Sequence, residues 1–133
     1  MKKIILSLFA IVALTTQNVN AEDVPLISLS QEEFIEFSKQ PDTVVIDVRT
    51  SWEYGWGHVP GAINMPHRSI VSGKLNFDDF TDKNLVFYCR TGVRVAIVNE
   101  YLNKNPSFPR EQLFHLKGDY NEWKARGREI AKP

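Results

Sequence analysis

The most informative segment of the chain is Leu85-Val86-Phe87-Tyr88-Cys89-Arg90-Thr91-Gly92. Its first four residues form a continuous apolar run, which is typical of a strand buried on both faces of a parallel sheet. After Gly92, apolar residues recur at helical spacing through Leu102. The segment therefore predicts a strand, a short loop that begins at Cys89, and a helix.

Similar strand and helix patterns occupy the rest of the chain. Two apolar runs predict strands at Thr43–Val48 and Leu113–Leu116. A capping box at Ser30–Glu33 predicts a helix that stops before Pro41. The other expected pieces are a short strand at Ala62–Met65, a helical turn after Thr50, short helical pieces within 67–83, and a final helix at Tyr120–Ala125. Because strands alternate with helices, the sequence predicts the α/β class, with a central, mostly parallel β-sheet and helices on both faces.

The first 21 residues have the pattern of a secretory signal peptide. Lys2 and Lys3 precede an apolar run at Ile4–Leu14, and Val19-Asn20-Ala21 supplies small side chains at a cleavage position. A retained anchor is the alternative, but the run has about eleven residues and a membrane span needs about 20. We therefore expect a signal peptide at 1–21, a single domain at 22–133 with its core at about 27–127, and export, with a bacterial periplasm favoured.

Composition limits the classes of partner. The chain has 16 basic and 16 acidic residues, and removal of Lys2 and Lys3 leaves a net charge of about −2. This balance lacks the basic surface expected of a nucleic-acid-binding protein. We therefore expect no nucleic acid. We also expect no membrane association after signal removal, and a monomer.

Cys89 is the only cysteine in the chain. It cannot form an intramolecular disulfide, so it is a core residue, an intermolecular partner or a reactive thiol. Its predicted place favours reactivity, because ligands bind at the carboxyl ends of parallel strands and helix N-termini stabilise anions. Arg90 and Arg94 add positive charge, and Gly92 allows the loop amides to point inward. In the simplest alternative, Arg94 is a solvated helix residue and Gly92 is only a turn residue.

Segments along nearly the whole chain resemble the rhodanese-like domain family. In chain order they are Val45–Arg49, Glu53, Gly57–Asn64, Leu85–Gly92, Leu116–Gly118 and Trp123. The resemblance implies a three-layer rhodanese-like fold in which Cys89 accepts sulfur as a persulfide. It also implies a substrate-binding loop whose amides and basic residues hold the persulfide and an anionic donor. The residues of this loop after the cysteine are Arg90, Thr91, Gly92, Val93 and Arg94.

The activity implied by this resemblance is that of a thiosulfate sulfurtransferase. Sulfane sulfur from thiosulfate, or from a similar small anionic donor, would pass through Cys89 to cyanide, a thiol or a thioredoxin-like protein. The family requires no metal and no organic cofactor, and no cluster of His, Cys, Asp and Glu in the sequence has metal-ligand spacing.

Two alternatives to this activity stay open. One is a persulfide carrier or sulfur-relay binding module with a dedicated partner. The other is a cysteine phosphatase of the same fold, in which the arginine follows the cysteine by six positions. Here Arg94 is the fifth residue after Cys89 and Val95 is the sixth, so the loop is too small for that pattern.

Supporting roles are expected near the loop and in the core. Asp47 and Arg49 are interpreted as an ion pair or loop anchor at the end of a strand. His58 is interpreted as a structural histidine that hydrogen-bonds a loop. Trp52 is expected in the core, and Trp123 is expected to pack the final helix against the sheet.

Two residues depart from the family pattern. Val95 replaces a small hydroxyl residue that commonly follows the loop, which removes one hydrogen bond and is expected to alter acceptor preference. Asp119 replaces the second residue of a common Gly-Gly pair. We expect its negative charge at the mouth of the pocket, where it would oppose anionic substrates.

Overall fold

The computed structural model of the chain describes Val24–Pro133. The predicted signal peptide at 1–21 lies outside these residues. The strands are β1 (Ile27–Leu29), β2 (Thr43–Asp47), β3 (Ile63–Asn64), β4 (Asn84–Tyr88) and β5 (Leu113–Leu116). The helices are α1 (Gln31–Phe37), α2 (Ser51–Trp56), α3 (His67–Val71), α4 (Val93–Lys104) and α5 (Asp119–Ala125), with 3-10 turns at Asp78–Phe80 and Arg110–Gln112. Within Val24–Pro133, no helix has the length and apolar character needed to cross a membrane.

The five strands form one sheet in the order β1-β5-β4-β2-β3. Every pairing between neighbouring strands is parallel, so the predicted α/β class and parallel sheet are confirmed. The sequence pattern does not predict β1, because the three residues Ile27–Leu29 are too few for a periodicity to be visible. This strand extends the sheet at its edge by pairing with β5.

Two capping boxes fix the starts of α1 and α2. Ser30 Oγ accepts a hydrogen bond from Glu33 N–H at 3.1 Å, and Ser30 N–H donates to the Glu33 carboxylate at 2.8 Å. Thr50 and Glu53 repeat the arrangement, at 3.1 Å in both directions. Each box satisfies N–H groups that a helix end leaves without partners. Both cap-initiated helices are therefore confirmed.

Apolar side chains fill the space on both faces of the sheet. One cluster includes Ile46, Val48, Leu85, Phe87, Cys89, Val98 and Leu113. The other includes Phe34, Val45, Val86, Tyr88, Leu116, Tyr120 and Trp123. Successive residues of β4 enter opposite clusters, as side chains of a strand do. A strand that is buried on both faces explains why its sequence is continuously apolar.

The three tryptophans lie in different environments. Trp123 is 5% exposed, packs edge-on against Phe34 with 5.6 Å between the ring centroids, and lies in the same cluster as Val86 and Leu116 of the sheet, which confirms its predicted role. Trp52 is 73% exposed, so the prediction that it lies in the core is wrong, and Trp56 is 72% exposed. The physical reason is the position of α2, a six-residue helix that has no buried residue.

The carboxyl ends of β2 and β4 lie side by side. Asp47 pairs in register with Tyr88, the last residue of β4. Val48 N–H then donates to the Tyr88 carbonyl at 3.0 Å. The residues that follow the two strands, Arg49 and Cys89 among them, therefore share one edge of the sheet. This is the edge at which open α/β sheets bind ligands.

Candidate active site

Cys89 lies between β4 and α4, at the position predicted from the sequence. Its side chain is buried, and Sγ accepts a hydrogen bond from Gly92 N–H at 3.0 Å. Gly92 caps the start of α4 with φ 108°, a left-handed conformation that favours glycine. The N–H groups at a helix N-terminus stabilise negative charge, and this contact aims one of them at the sulfur.

The start of α5 holds the backbone of the loop. Cys89 N–H donates to Asp119 Oδ1 at 2.9 Å, and the Cys89 carbonyl accepts from Tyr120 N–H at 3.0 Å. The carbonyl of Arg90 accepts from Asn121 N–H at 3.2 Å. Both backbone groups of the cysteine are therefore bonded to α5, which fixes the thiol relative to the sheet.

Asp119 lies beneath the loop and not at the mouth of a pocket, which corrects the expectation from the sequence. It is 2% exposed, and both of its carboxylate oxygens lie 3.1 Å from His115 Nε2. Its φ of 56° is left-handed, a conformation that aspartate tolerates better than most residues. The carboxylate is aimed at the Cys89 amide, so its charge is buried behind the thiol.

His115 belongs to this site although no local sequence pattern identifies it. It lies on β5, next to β4 in the sheet, and its imidazole is the side-chain partner of Asp119. The signal that identifies it is topological, because the carboxyl ends of neighbouring parallel strands meet at one edge. The order of the strands is needed before that signal can be used.

Arg94, the residue expected to attract an anionic donor, is paired with Glu53 of α2. Its Nη1 and Nη2 donate to the two carboxylate oxygens at 2.6 and 3.0 Å. These hydrogen bonds lower the pKa of Glu53 to about 2 and raise the pKa of Arg94. The sequence analysis identifies Glu53 as a family match only, because its partner lies 41 positions away.

The other loop residues differ in exposure. Arg90 and Thr91 are exposed, and so is Val93. Val95, the residue that departs from the family pattern, is buried in the core cluster that contains Phe87. Of the two loop arginines, Arg90 is therefore the one whose charge is open to solvent.

Asp47 and Arg49 form a buried ion pair, in agreement with their interpretation from the sequence. Arg49 Nε and Nη2 donate to the carboxylate at 2.9 and 2.7 Å, and Nη2 also donates to the Gly57 carbonyl at 2.7 Å. Tyr88 Oη donates to Asp47 at 2.7 Å. Burial and the Asp47 charge raise the pKa of Tyr88 well above its usual range. The pair ties β2, β4 and the end of α2 together.

His58 has the contacts of a structural histidine. Its ring stacks on Tyr54 with 3.7 Å between the centroids, and Nδ1 lies 3.0 Å from the Tyr54 carbonyl oxygen. Its backbone N–H and carbonyl both bond to Ala131, each at 2.9 Å. His58 therefore fastens the end of the chain to the segment that follows α2.

A cavity of about 500 Å³ opens beside the loop, between α2 and α5. It is lined by Arg49, Trp52, Glu53, Trp56, Gly57, Arg90, Tyr120, Asn121 and Lys124. Arg90 and Lys124 supply positive charge, and the indoles of Trp52 and Trp56 lie with 6.3 Å between their centroids. A volume of this size is ordinary for a small-molecule site. Among the residues from Val24 onward, no group of three or more His, Cys, Asp and Glu is placed to hold a metal ion.

Comparison with known proteins gives one family for the chain. The sequence pattern of the Rhodanese-like domain matches residues 30–126. The tRNA uridine(34) hydroxylases of Photorhabdus laumondii and Staphylococcus saprophyticus are 30% and 38% identical over 111 and 99 residues, which are 79% and 71% of this chain. The alignments cover 30% and 31% of those proteins, so the chain spans about a third of the length of these curated relatives.

Solved structures have the same fold. A human single-domain sulfurtransferase is similar with a TM-score of 0.60 and 23% identity, over 77% of this chain and 97% of that one. A thiosulfate sulfurtransferase from Pseudomonas aeruginosa is similar with a TM-score of 0.65 and 21% identity, over 80% of this chain and 20% of that one. A Rhodopseudomonas palustris protein described as a possible tyrosine phosphatase gives a TM-score of 0.66 and 20% identity, over 88% and 99%. Identities this low establish the fold alone.

Proposed function

The chain belongs to the rhodanese-like domain family, and we propose that it is a sulfurtransferase in which Cys89 carries sulfane sulfur as a persulfide. The observation that carries this proposal is the hydrogen bond from Gly92 N–H to Cys89 Sγ at 3.0 Å, at the start of α4. A sulfur anion at this point gains from the helix N-terminus, whether it is a thiolate or a persulfide.

The first step loads the sulfur. The Cys89 thiolate attacks the outer sulfur of thiosulfate, a new S–S bond forms, and the S–S bond of thiosulfate breaks. Sulfite leaves with the electron pair, and the Cys89 persulfide retains the negative charge of the thiolate. Only 1% of Cys89 is exposed. A donor can therefore reach the thiol only with a terminal sulfur that carries no bulky substituent.

The second step unloads the sulfur. Cyanide, or the thiolate of a small molecule or protein, attacks the outer sulfur of the persulfide and breaks the Cys89 S–S bond. The cysteine leaves as the thiolate that began the cycle, and thiocyanate or a new persulfide is released. Two successive displacements at sulfur replace one direct transfer, which is covalent catalysis.

A sulfur carrier for a dedicated protein partner is the second candidate function. Trp52 and Trp56 are largely exposed and line the cavity that Arg90 also lines. Exposed tryptophans are frequent anchors of protein interfaces. A thioredoxin-like protein suits this role, because its thiol accepts sulfur from a persulfide. Fast transfer to a reduced thioredoxin, together with slow turnover on cyanide, favours this candidate over the first.

Phosphatase chemistry has weaker support from the loop. The arginine that would wrap a phosphate is Arg94, one position earlier than in the phosphatase pattern, and it is paired with Glu53. The sixth residue after the cysteine is Val95, which is buried and apolar. A phosphoryl group would therefore lack the cationic clamp that stabilises its transfer.

The tRNA hydroxylation in the names of the curated relatives belongs to chains about three times as long. This chain has equal numbers of basic and acidic residues, a balance that attracts an RNA backbone weakly. We therefore propose a sulfur donor and acceptor, and no tRNA, as the reactants of this chain.

Export to a bacterial periplasm is proposed from residues 1–21. Expression of the whole chain in a bacterial host, followed by fractionation, tests this. We expect the protein in the periplasmic fraction with an N-terminus at Glu22, the residue after the predicted cleavage position. A cytosolic protein that retains Lys2 and Lys3 would contradict export.

The activity is tested by running two assays on one preparation. Thiosulfate and cyanide are supplied in the first, and an aryl phosphate in the second. We expect thiocyanate from the wild-type protein, none from the Cys89→Ser variant, and no phosphate release from either. Phosphate release without thiocyanate would replace this proposal with the phosphatase.

A further inference from the structure

We propose that Asp119 sets the donor specificity of the site: its buried carboxylate, held between the Cys89 amide and His115, makes the loop prefer a sulfane donor with one negative charge over doubly charged thiosulfate. This inference rests on the sulfurtransferase function proposed above. The donor class that it selects is an organic thiosulfonate or persulfide, which carries one negative charge on its terminal sulfur.

The position of the Asp119 carboxylate is fixed by three contacts. Cys89 N–H donates to Oδ1 at 2.9 Å, and His115 Nε2 lies 3.1 Å from each carboxylate oxygen. A Cβ built on Gly92 would lie 3.2 Å from Oδ2, so the carboxylate also lies directly behind the glycine that contacts the sulfur. With 2% exposure, its charge acts on the loop with little screening by solvent.

The backbone of Asp119 is a second and independent sign that the side chain is held in place. Its φ of 56° is the only left-handed value among the non-glycine residues from Val24 to Pro133. Glycine would adopt this conformation without strain. Aspartate adopts it here while its side chain bonds the Cys89 amide and lies against His115, contacts that offset the strain.

The charge count around the thiol does not favour a dianion. Arg94 is neutralised by Glu53 at 2.6 Å, and the other arginine at this edge of the sheet is neutralised by Asp47. Arg90 then contributes one positive charge to the loop and Asp119 contributes one negative charge. The charges of the loop itself therefore nearly cancel, Lys124 in the lining of the neighbouring cavity is the further cation that a donor meets, and each additional negative charge on the donor is opposed by Asp119.

The transfer itself is the same for both donor classes. With an aryl thiosulfonate, the Cys89 thiolate attacks the terminal sulfur, a new S–S bond forms, and the S–S bond of the donor breaks. The aryl sulfinate leaves with the electron pair, as sulfite does from thiosulfate. Because the bond changes are identical, a change in the ratio of the two rates reports on the charge and the size of the donor. A variant that alters only a charge of the protein isolates the effect of donor charge.

The test is the ratio of kcat/KM for thiosulfate to kcat/KM for benzenethiosulfonate, with cyanide as acceptor. Asp119→Asn keeps an oxygen for the Cys89 N–H and removes the charge, and Asp119→Gly removes the side chain and suits the left-handed backbone. We expect each variant to raise the ratio about tenfold, the effect of one nearby charge on a donor with one extra charge. Glu122→Gln, a change of one charge at an exposed position of the same helix, is the matched control and should leave the ratio within about twofold.

The outcome also distinguishes this inference from the proposed function. If Cys89 gains a sulfur atom from either donor, but Asp119→Asn and Asp119→Gly leave the donor ratio within about twofold of wild type, the inference is wrong and the sulfurtransferase stands. If Cys89 gains no sulfur from either donor, both are wrong. If Asp119→Asn does not fold, Asp119→Gly alone provides the test.

Discussion

Strands β2 and β4 end side by side at one edge of the sheet, yet the groups that follow them are stabilised in opposite ways. After β2, Arg49 donates to the buried Asp47 carboxylate at 2.7 and 2.9 Å, and Tyr88 Oη donates to the same carboxylate at 2.7 Å. After β4, the Cys89 sulfur receives one hydrogen bond, from Gly92. Both charges at the first strand end have partners, whereas the proposed nucleophile at the second accepts one hydrogen bond from the loop.

Because of this difference, we expect substitutions at the end of β2 to affect stability and substitutions at the end of β4 to affect the proposed chemistry. A buried ion pair is strongly destabilised when one partner is removed, because the other charge stays unpaired. A thiol that accepts a single hydrogen bond loses little stability when it is replaced by a group of similar size that keeps this bond. Changes at the end of β2 should therefore affect folding, and changes at the end of β4 should affect sulfur transfer.

Replacement of the nucleophile is expected to give the largest effect. Cys89→Ser should lower sulfur transfer by at least about a thousandfold, because the hydroxyl cannot form a persulfide. The free energy of unfolding should change by less than about 1 kcal/mol, since Gly92 N–H can still donate to the new oxygen. Thiocyanate formation and urea denaturation measure the two quantities. Transfer above a tenth of the wild-type rate would remove Cys89 from the mechanism.

The end of β2 should respond in the opposite way. Arg49→Met leaves the Asp47 carboxylate buried without its cation, and we expect a loss of about 3–5 kcal/mol in the free energy of unfolding. Lys39→Met breaks an exposed pair of similar length, 3.0 Å, and should cost less than about 1 kcal/mol. Urea denaturation compares the two variants. Equal losses would mean that the buried pair is not the anchor described here.

Arg94 follows β4, as Cys89 does, but it is already paired with Glu53. Arg94→Ala should raise the KM for thiosulfate about tenfold, because it removes a cation from the loop and also leaves the Glu53 charge unbalanced. The double variant Arg94→Ala with Glu53→Gln should recover part of that loss. A double-mutant cycle on kcat/KM measures the coupling between the two residues. An unchanged KM in the single variant would exclude Arg94 from donor binding.

The Glu53–Arg94 pair should make a small contribution to acid stability. The pKa of Glu53 is lowered from 4.5 to about 2 by its hydrogen bond with Arg94. The stabilisation is therefore complete above about pH 4.5 and is lost as the pH falls toward 2. Partial solvent screening limits it to about 1 kcal/mol. Denaturation between pH 5 and 2 should be less pH-dependent in Glu53→Gln than in wild type, with exposed Glu36→Gln as the control.

The main elements of the fold follow from local sequence. Apolar runs at Thr43–Val48 and Leu85–Tyr88 place the two central strands, and the capping boxes at Ser30 and Thr50 place two helix starts. Such signals depend on residues a few positions apart. β1 escapes prediction because its three residues acquire a strand conformation by pairing with β5, 87 positions away.

The site is only partly predictable for the same reason. The position of Cys89 between a strand and a helix is a local feature and is found from the sequence. The pairing of Arg94 with Glu53, and of Asp119 with Cys89 and His115, depends on strand order and on one left-handed residue. In our proposal these contacts set the charge that a sulfur donor meets, and the spacing of residues in the sequence does not show them.

The burial of a single aromatic residue is also hard to predict from the sequence, as Trp52 shows. An aromatic residue directly after a buried strand is a reasonable core candidate. The short helix α2 instead lies outside the sheet, and both of its indoles face the cavity beside Arg90. Only the packing of α2 against the loop distinguishes the two cases.

The central claim is that sulfur is held covalently on Cys89, and the intact mass of the purified protein after incubation with thiosulfate tests it most directly. We predict a gain of about 32 Da, one sulfur atom, that disappears on addition of cyanide and never forms on Cys89→Ser. A wild-type mass that stays unchanged with thiosulfate and with an organic sulfane donor, in a folded protein, would contradict the account.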